Sequence, residues 1–128
     1  MIYKIAKGTK PSIPSYGRYA AKAIHTQTIT QEMLMKEIER NCSAKASDVM
    51  LVLTELQDVM LSHLRDGCKI ELPAIGTMKL EIRSKTVDSP EAFCAEKHVK
   101  GFCLHIVPKC RNGKPEIYKG IRLAMAEE

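Results

Sequence analysis

The chain contains no tryptophan, and aromatic residues make up only 5% of its 128 positions. Any core must therefore rest on Leu, Ile, Val, Ala and the seven Met, which pack adaptably but specify shape weakly. An elongated core, or one completed by a second copy of the chain, suits that material. Long apolar runs are also missing. The longest, VMLVL at 49–53, is far too short to cross a bilayer, and the lysine-bearing MIYKIAKGTK at the start leads into no signal-like apolar stretch. The cysteines at 42, 68, 94, 103 and 110 are odd in number and contain no C-x-x-C pair, so a disulfide framework is not expected and a cytoplasmic, reducing compartment is.

Signs of catalysis are scarce too. Gly67 and Gly76 stand too far apart for a phosphate loop, and neither is followed by G-K-[ST]. His25 and His63 have no partner identifiable from spacing, and Glu37 and Glu39 would point to different sides of a helix. The expectation is a protein that is not an enzyme, with no cofactor, membrane or small-molecule substrate.

Acids are absent from residues 1–29, which carry Lys4, Lys7, Lys10, Arg18 and Lys22. Residues 30–66 hold four cations and seven acids, 67–98 five of each, and 99–128 six cations against three acids. The net charge of +5 thus resides at the two chain ends. Such segregation suits a polyanionic partner, and equally a merely solvated surface.

Periodicity divides the chain further. IYKIA at 2–6 is β-prone, KGTKPSIPS at 7–15 reads as a connector, and YGRYAAKAIHTQTI at 16–29 leans towards a strand. From Thr30 the period becomes helical: Leu34 and Ile38, joined by Met35, predict a helix over 31–41 with Thr30 as N-cap and Glu32 set favourably against the helix dipole. Val49, Leu53, Leu56, Met60 and Leu64 mark one face of a second helix over 46–65, which Gly67 should end. CKIEL and TMKLEI then alternate. Ile70, Leu72, Met78, Leu80 and Ile82 fall on one side, and Lys69, Glu71, Lys79, Glu81 and Arg83 on the other. Pro73 and Gly76 in PAIG force a turn between two strands and should tuck Ile75 under the sheet. Residues 83–98 form a polar excursion, FCLHIV at 102–107 returns as a strand ending at Pro108, and RNGKP is a turn. The tail EIYKGIRLAMAEE reads as either a short helix or a strand.

This order of elements, and above all DGCKIELPAIGTMKLEIR, resembles the HU and integration host factor family of bacterial histone-like DNA-binding proteins. The stretch resembles the family's glycine helix stop, valine- or isoleucine-containing strand, glycine-aromatic-glycine-threonine turn and second strand. The resemblance covers roughly residues 30–110. The added segment 1–29, with YKI near its start, and the longer tail are similar to a Bacteroidetes-type variant with an N-terminal extension.

The resemblance implies an α+β fold with a two-helix hairpin, a three-stranded antiparallel sheet bearing a short arm, and an extra N-terminal strand segment. It implies three regions: a basic extension at 1–29, a DNA-binding domain at 30–110, and a tail at 111–128 packed on that same domain. It further implies an intertwined homodimer whose core draws on Leu53, Leu56, Met60, Ile75, Met78, Leu80, Phe102, Leu104 and Ile106. The paired sheets would form a saddle for double-stranded DNA, bound through phosphate and minor-groove contacts with low sequence specificity, in a nucleoid-associated role.

Phosphate neutralisation needs cations on a rigid outward face. Alternation supplies Lys79 and Arg83, with Lys85 continuing their parity, while Lys100, Lys109, Arg111 and Lys114 lie on or beyond the returning strand. The chain departs from the family at the arm. Where relatives carry a basic tip ending in Arg-Asn-Pro, this sequence has VDSPEAFCAE, and the candidate wedge Pro90 is flanked by Asp88 and Glu91. Val107 stands where many relatives carry a cation. Saddle-type, salt-sensitive binding with little bending by the arms is therefore expected, with a compact tip burying Phe93 as another possibility. The alternative is a dimeric scaffold of the same fold that serves protein interaction. Cys94, His98, Cys103, His105 and Cys110 fall close together, but without a tight cysteine pair they are expected to hold no metal.

Overall fold

In the computed structural model, which describes residues 1–14, 16–111 and 113–127, the first β-prone run forms β1 (Ile2–Lys7). It pairs antiparallel with β2 (Tyr19–Ile24), in register from Ile2 opposite Ile24 to Lys7 opposite Tyr19. Between them the connector is tied by hydrogen bonds from the Gly8 N–H to the Arg18 carbonyl (2.9 Å) and from the Gly17 N–H to the Gly8 carbonyl (3.2 Å). The strand reading of 16–29 thus holds for its central part.

Both helices occupy their expected ranges. In α1 (Gln31–Asn41) the Thr30 hydroxyl accepts a hydrogen bond from the Met33 N–H at 3.3 Å, relieving one of the unpaired donors of the first turn. The 20-residue α2 (Ala46–Arg65) ends as Gly67 takes φ +86°. There the Gly67 N–H reaches the Leu64 carbonyl and the Cys68 N–H the His63 carbonyl, the paired bonds of a Schellman termination.

The sheet after α2 is antiparallel in the order β3 (Ile70–Leu72), β4 (Gly76–Ser84), then a strand at Val99–Pro108. The excursion before that last strand is folded, with a 3₁₀ turn at Pro90–Ala92 and a one-turn helix, α3 (Ala95–His98), leading directly into β5 (Val99–Pro108). Gly76 is indispensable to this sheet. Its φ of +146° is one that L side chains rarely adopt, and a Cβ there would run into the Val107 carbonyl and the Pro108 backbone. A small hairpin, β6 (Cys110–Arg111) with β7 (Lys114–Pro115), follows, and then a 3₁₀ turn at Glu116–Tyr118.

The chain divides into two units, Met1–Glu37 with Gly120–Glu128, and Ile38–Lys119. In the first of these the last strand, β8 (Ala124–Met125), lies parallel to β1, and the N-terminal amine donates to the Arg122 carbonyl at 2.6 Å. A two-residue strand carries almost no local signal, and β1 provides the edge it needs.

Within the second unit, α2 packs on β3 and β4. Among the described residues only Val49 and Leu64, at 5% and 8% exposure, and Gly76 of the turn are buried in the isolated chain. Ile75, expected beneath the sheet, is 44% exposed. Its N–H closes the turn on the Leu72 carbonyl, but no neighbour covers the side chain well.

Candidate nucleic-acid interface

The register of β3, β4 and β5 sorts their side chains onto two faces. Ile70, Met78 and Ile106 form one row of the first face, followed by Leu80 with Leu104 and Ile82 with Phe102. This row becomes more exposed along β4, until Ile82 and Phe102 stand 65% and 68% open. The second face carries Glu71, Thr77 and Val107 in one row, then Lys79 with His105, Glu81 with Cys103, and Arg83 with Gly101. Extending the β3 ladder one step sets Lys69 opposite Lys79. Lys69, Glu71, Thr77, Lys79 and Val107 together line an open concavity of about 580 Å³.

Carboxylates interrupt this cationic face. Lys79 Nζ lies 3.0 Å from Glu81 Oε1, and His105 Nε2 lies 3.1 Å from Glu81 Oε2. Lys109 reaches back from beyond β5 to Glu71 at 3.5 Å. The hydrogen bond from Lys79, followed by the charges of His105 and Lys79, holds the Glu81 carboxyl below its usual range. Glu81 thus draws on Lys79 and His105, the cross-strand pair of the adjacent row. Each of these side chains is a third or more exposed, so the pairs contribute little to stability but shape the local field.

The candidate cations are distributed unevenly. Lys79 and Arg83 share the polar face, as alternation predicted. The ladder shifts between Arg83 and Ser84, and Lys85 lies just past the end of β4, its N–H bonded to the His98 carbonyl at 2.7 Å. Lys100 is the extra residue at the same irregularity, since Arg83 pairs with Gly101 and Ser84 with Val99, so alternation no longer fixes its side. Arg111 and Lys114 are partners in the β6–β7 hairpin, away from the three-stranded ladder. Lys69 and His105 were missed as site residues. Their parity with Lys79 was the available signal for Lys69, but the place of His105 opposite Lys79 depends on a long-range register.

At the end of the β4–β5 ribbon the excursion is compact. The Cys94 N–H donates to His98 Nδ1 at 2.9 Å, and the Phe93 and His98 rings lie 5.6 Å apart. Phe93 remains 43% exposed, so the tip does not bury it. Pro90 opens the 3₁₀ turn, exposed between the acidic positions noted above. Among the described residues no three His, Cys, Asp or Glu side chains are grouped to hold a metal ion. No helix of the described chain is long and apolar enough to cross a membrane.

Residues 1–109 match the model of one family, HU-HIG, described as an HU domain fused to wHTH, Ig, or Glycine-rich motif. No curated protein matches the chain. Among solved structures, a Bacteroides vulgatus protein with the provisional description of a bacterial DNA-binding protein superposes with a TM-score of 0.66 at 12% identity, a similarity of fold. The match covers 97% of this chain and 47% of that one, so the present chain spans about half the length of its structural relative.

Proposed function

The chain belongs to the HU-HIG family, and on that premise we propose that it is a non-enzymatic, histone-like DNA-binding protein that holds duplex DNA on the polar face of the β3–β4–β5 sheet. The observation that carries this reading is the sorting of the sheet, with Lys69, Lys79 and Arg83 on one side and an apolar ladder on the other. Cations anchored on a rigid ladder meet phosphates without the entropy cost of ordering a loop, and they displace condensed counterions as they do so. Two of the three cations on this face are lysines, point charges without a fixed fork, which favours backbone and minor-groove contact with low sequence specificity. Lys100, Lys109, Arg111 and Lys114 would add peripheral contacts. The folded, mixed-charge tip disfavours Pro90 as a wedge, so the arm would contribute little bending.

The working unit of this reading is a homodimer. The chain exposes 11273 Å². Two wholly separate domains of these sizes would expose only roughly 8,000 Å² by the usual scaling. The surplus of about 3,000 Å² is on the scale of an obligate, core-completing interface. It includes Leu56 and Val59 on α2 together with Leu80, Phe102, Leu104 and Ile106 on the sheet, where a second copy would cover them.

Titration of a labelled duplex against salt tests the reading. Changing Lys79 and Arg83 to Ala should lower the slope of log affinity on log salt by about 0.9 for each true phosphate contact. An affinity indifferent to salt would reject it, and light scattering on the same sample should give twice the chain mass. A scaffold role is the second reading, favoured by the pairing of Lys79 and Lys109 with carboxylates. A stable dimer without affinity for DNA would establish it.

A further inference from the structure

The first unit holds a second cationic surface, of different construction. Lys7, Lys10, Arg18 and Lys22 all line one hollow of about 350 Å³. Ala6 and Ala20, opposite one another in the β1–β2 ladder, are among its walls, and such short side chains leave room that larger ones would fill. Ile13 of the connector closes part of the rim.

The backbone fixes where these charges stand. The bonds joining Gly8 to Arg18 and Gly17 to Gly8 hold the strand end bearing Arg18 against the connector. Successive turns, Ile13 N–H to the Lys10 carbonyl and Tyr16 N–H to the Ile13 carbonyl, shape the loop that carries Lys10. Lys7 Nζ sits 6.0 Å from the centroid of the exposed Tyr19 ring, within cation–π range.

The lining of the hollow contains no acid. No acid occurs in residues 1–29, and among the described residues none of these four cations is paired with a carboxylate. Ordinary solubilising lysines are interspersed with acids, as they are elsewhere in this chain. Four cations around one hollow repel each other and keep its potential positive until an anion enters. The volume suits a phosphate with its adjoining sugar.

We propose that this hollow is a second phosphate-binding site, one that grips the phosphodiester backbone of a nucleic acid outside the stretch held by the sheet. The inference rests on the DNA-binding reading above for the identity of its ligand. Its residues are independent of that site.

The test uses the full chain and a duplex long enough to extend beyond the sheet, with affinity followed against salt. Three proteins are compared: wild type, the triple variant Lys10→Gln, Arg18→Gln and Lys22→Gln, and the double variant Lys79→Ala and Arg83→Ala. The triple variant should lose about two to three units of salt slope, at about 0.9 per contact, with an unchanged circular dichroism spectrum. If it keeps the wild-type slope while the double variant loses slope, the inference falls and the sheet reading stands. Loss in the triple variant alone upholds the hollow and removes the sheet. A salt-indifferent wild type rejects both. Inorganic phosphate serves as a competitor: if it shifts the amide resonances around the hollow while duplex DNA does not, the site takes small anions and the backbone assignment is wrong. Lysine-modification footprinting of the wild type covers the case of a misfolded triple variant. Protection of Lys10 and Lys22 by DNA supports the proposal, and full reactivity overturns it.

Discussion

The two basic surfaces of this molecule differ in what surrounds their cations. On the sheet of the second unit, Lys79 shares Glu81 with His105, and Lys109 is drawn to Glu71. In the hollow of the first unit, Lys7, Lys10, Arg18 and Lys22 stand in a segment without acids. The number of cations is therefore a poor guide to attraction for a polyanion. What a phosphate meets is the field left after neighbouring carboxylates have been counted, and the sheet partly cancels its own.

The largest effect should come from removing one of the two surfaces altogether. Gly76→Ala places a methyl group against the Val107 carbonyl in a backbone conformation that alanine resists. Urea denaturation should show a loss of about 3 kcal/mol or more, since the strand pairing must distort to admit it. Full stability in this variant would mean that the close approach of β5 to the PAIG turn is not as described. Next in size is the contrast in salt slope between the hollow and sheet variants, where the hollow should lose at least as much per charge removed.

A smaller change should convert the sheet towards the character of the hollow. Glu81→Gln frees Lys79 and His105 from their shared carboxylate, and affinity for duplex DNA at low salt should rise by about 2- to 5-fold, the scale of one screened charge at the surface. An unchanged or weakened affinity would indicate that the ladder around Lys79 and His105 does not face the duplex. The smallest effect concerns pH. Because Glu81 has a lower pKa folded than unfolded, its ion pairs add stability above the unfolded value and lose it as pH falls through the folded one. Any thermal-midpoint advantage of wild type over Glu81→Gln should therefore be complete above the ordinary glutamate pKa and shrink as pH falls below it. A difference that grows on acidification would contradict that sign.

Much of the helical pair and of the sheet after it was legible from local pattern. The i, i+4 spacing of Leu34 and Ile38, and the run from Val49 to Leu64, located both helices, because helical periodicity and a capping threonine are properties of contiguous residues. Alternation in CKIEL and TMKLEI likewise separated Lys79 and Arg83 from Met78 and Leu80. Legibility ended where the ladder broke. Lys100 is the extra residue of a register shift that no residue announces, and at a bulge parity ceases to assign a face. The charge of the N-terminal segment was equally plain, but its gathering into one hollow was not, since that depends on a connector folding over two strands.

The sequence by itself determined the helices, the cap at Thr30, the turn at Gly76, the sorted faces of the hairpin and the acid-free character of the first 29 residues. All of these follow from interactions between residues close along the chain. Only the tertiary structure decided that Glu81 and Glu71 would temper the sheet, that the tail would end beside β1, and that Lys7, Lys10, Arg18 and Lys22 would line the same hollow. Those outcomes rest on strand register and loop closure, which bring distant residues within a few ångströms through pairings that no local pattern specifies.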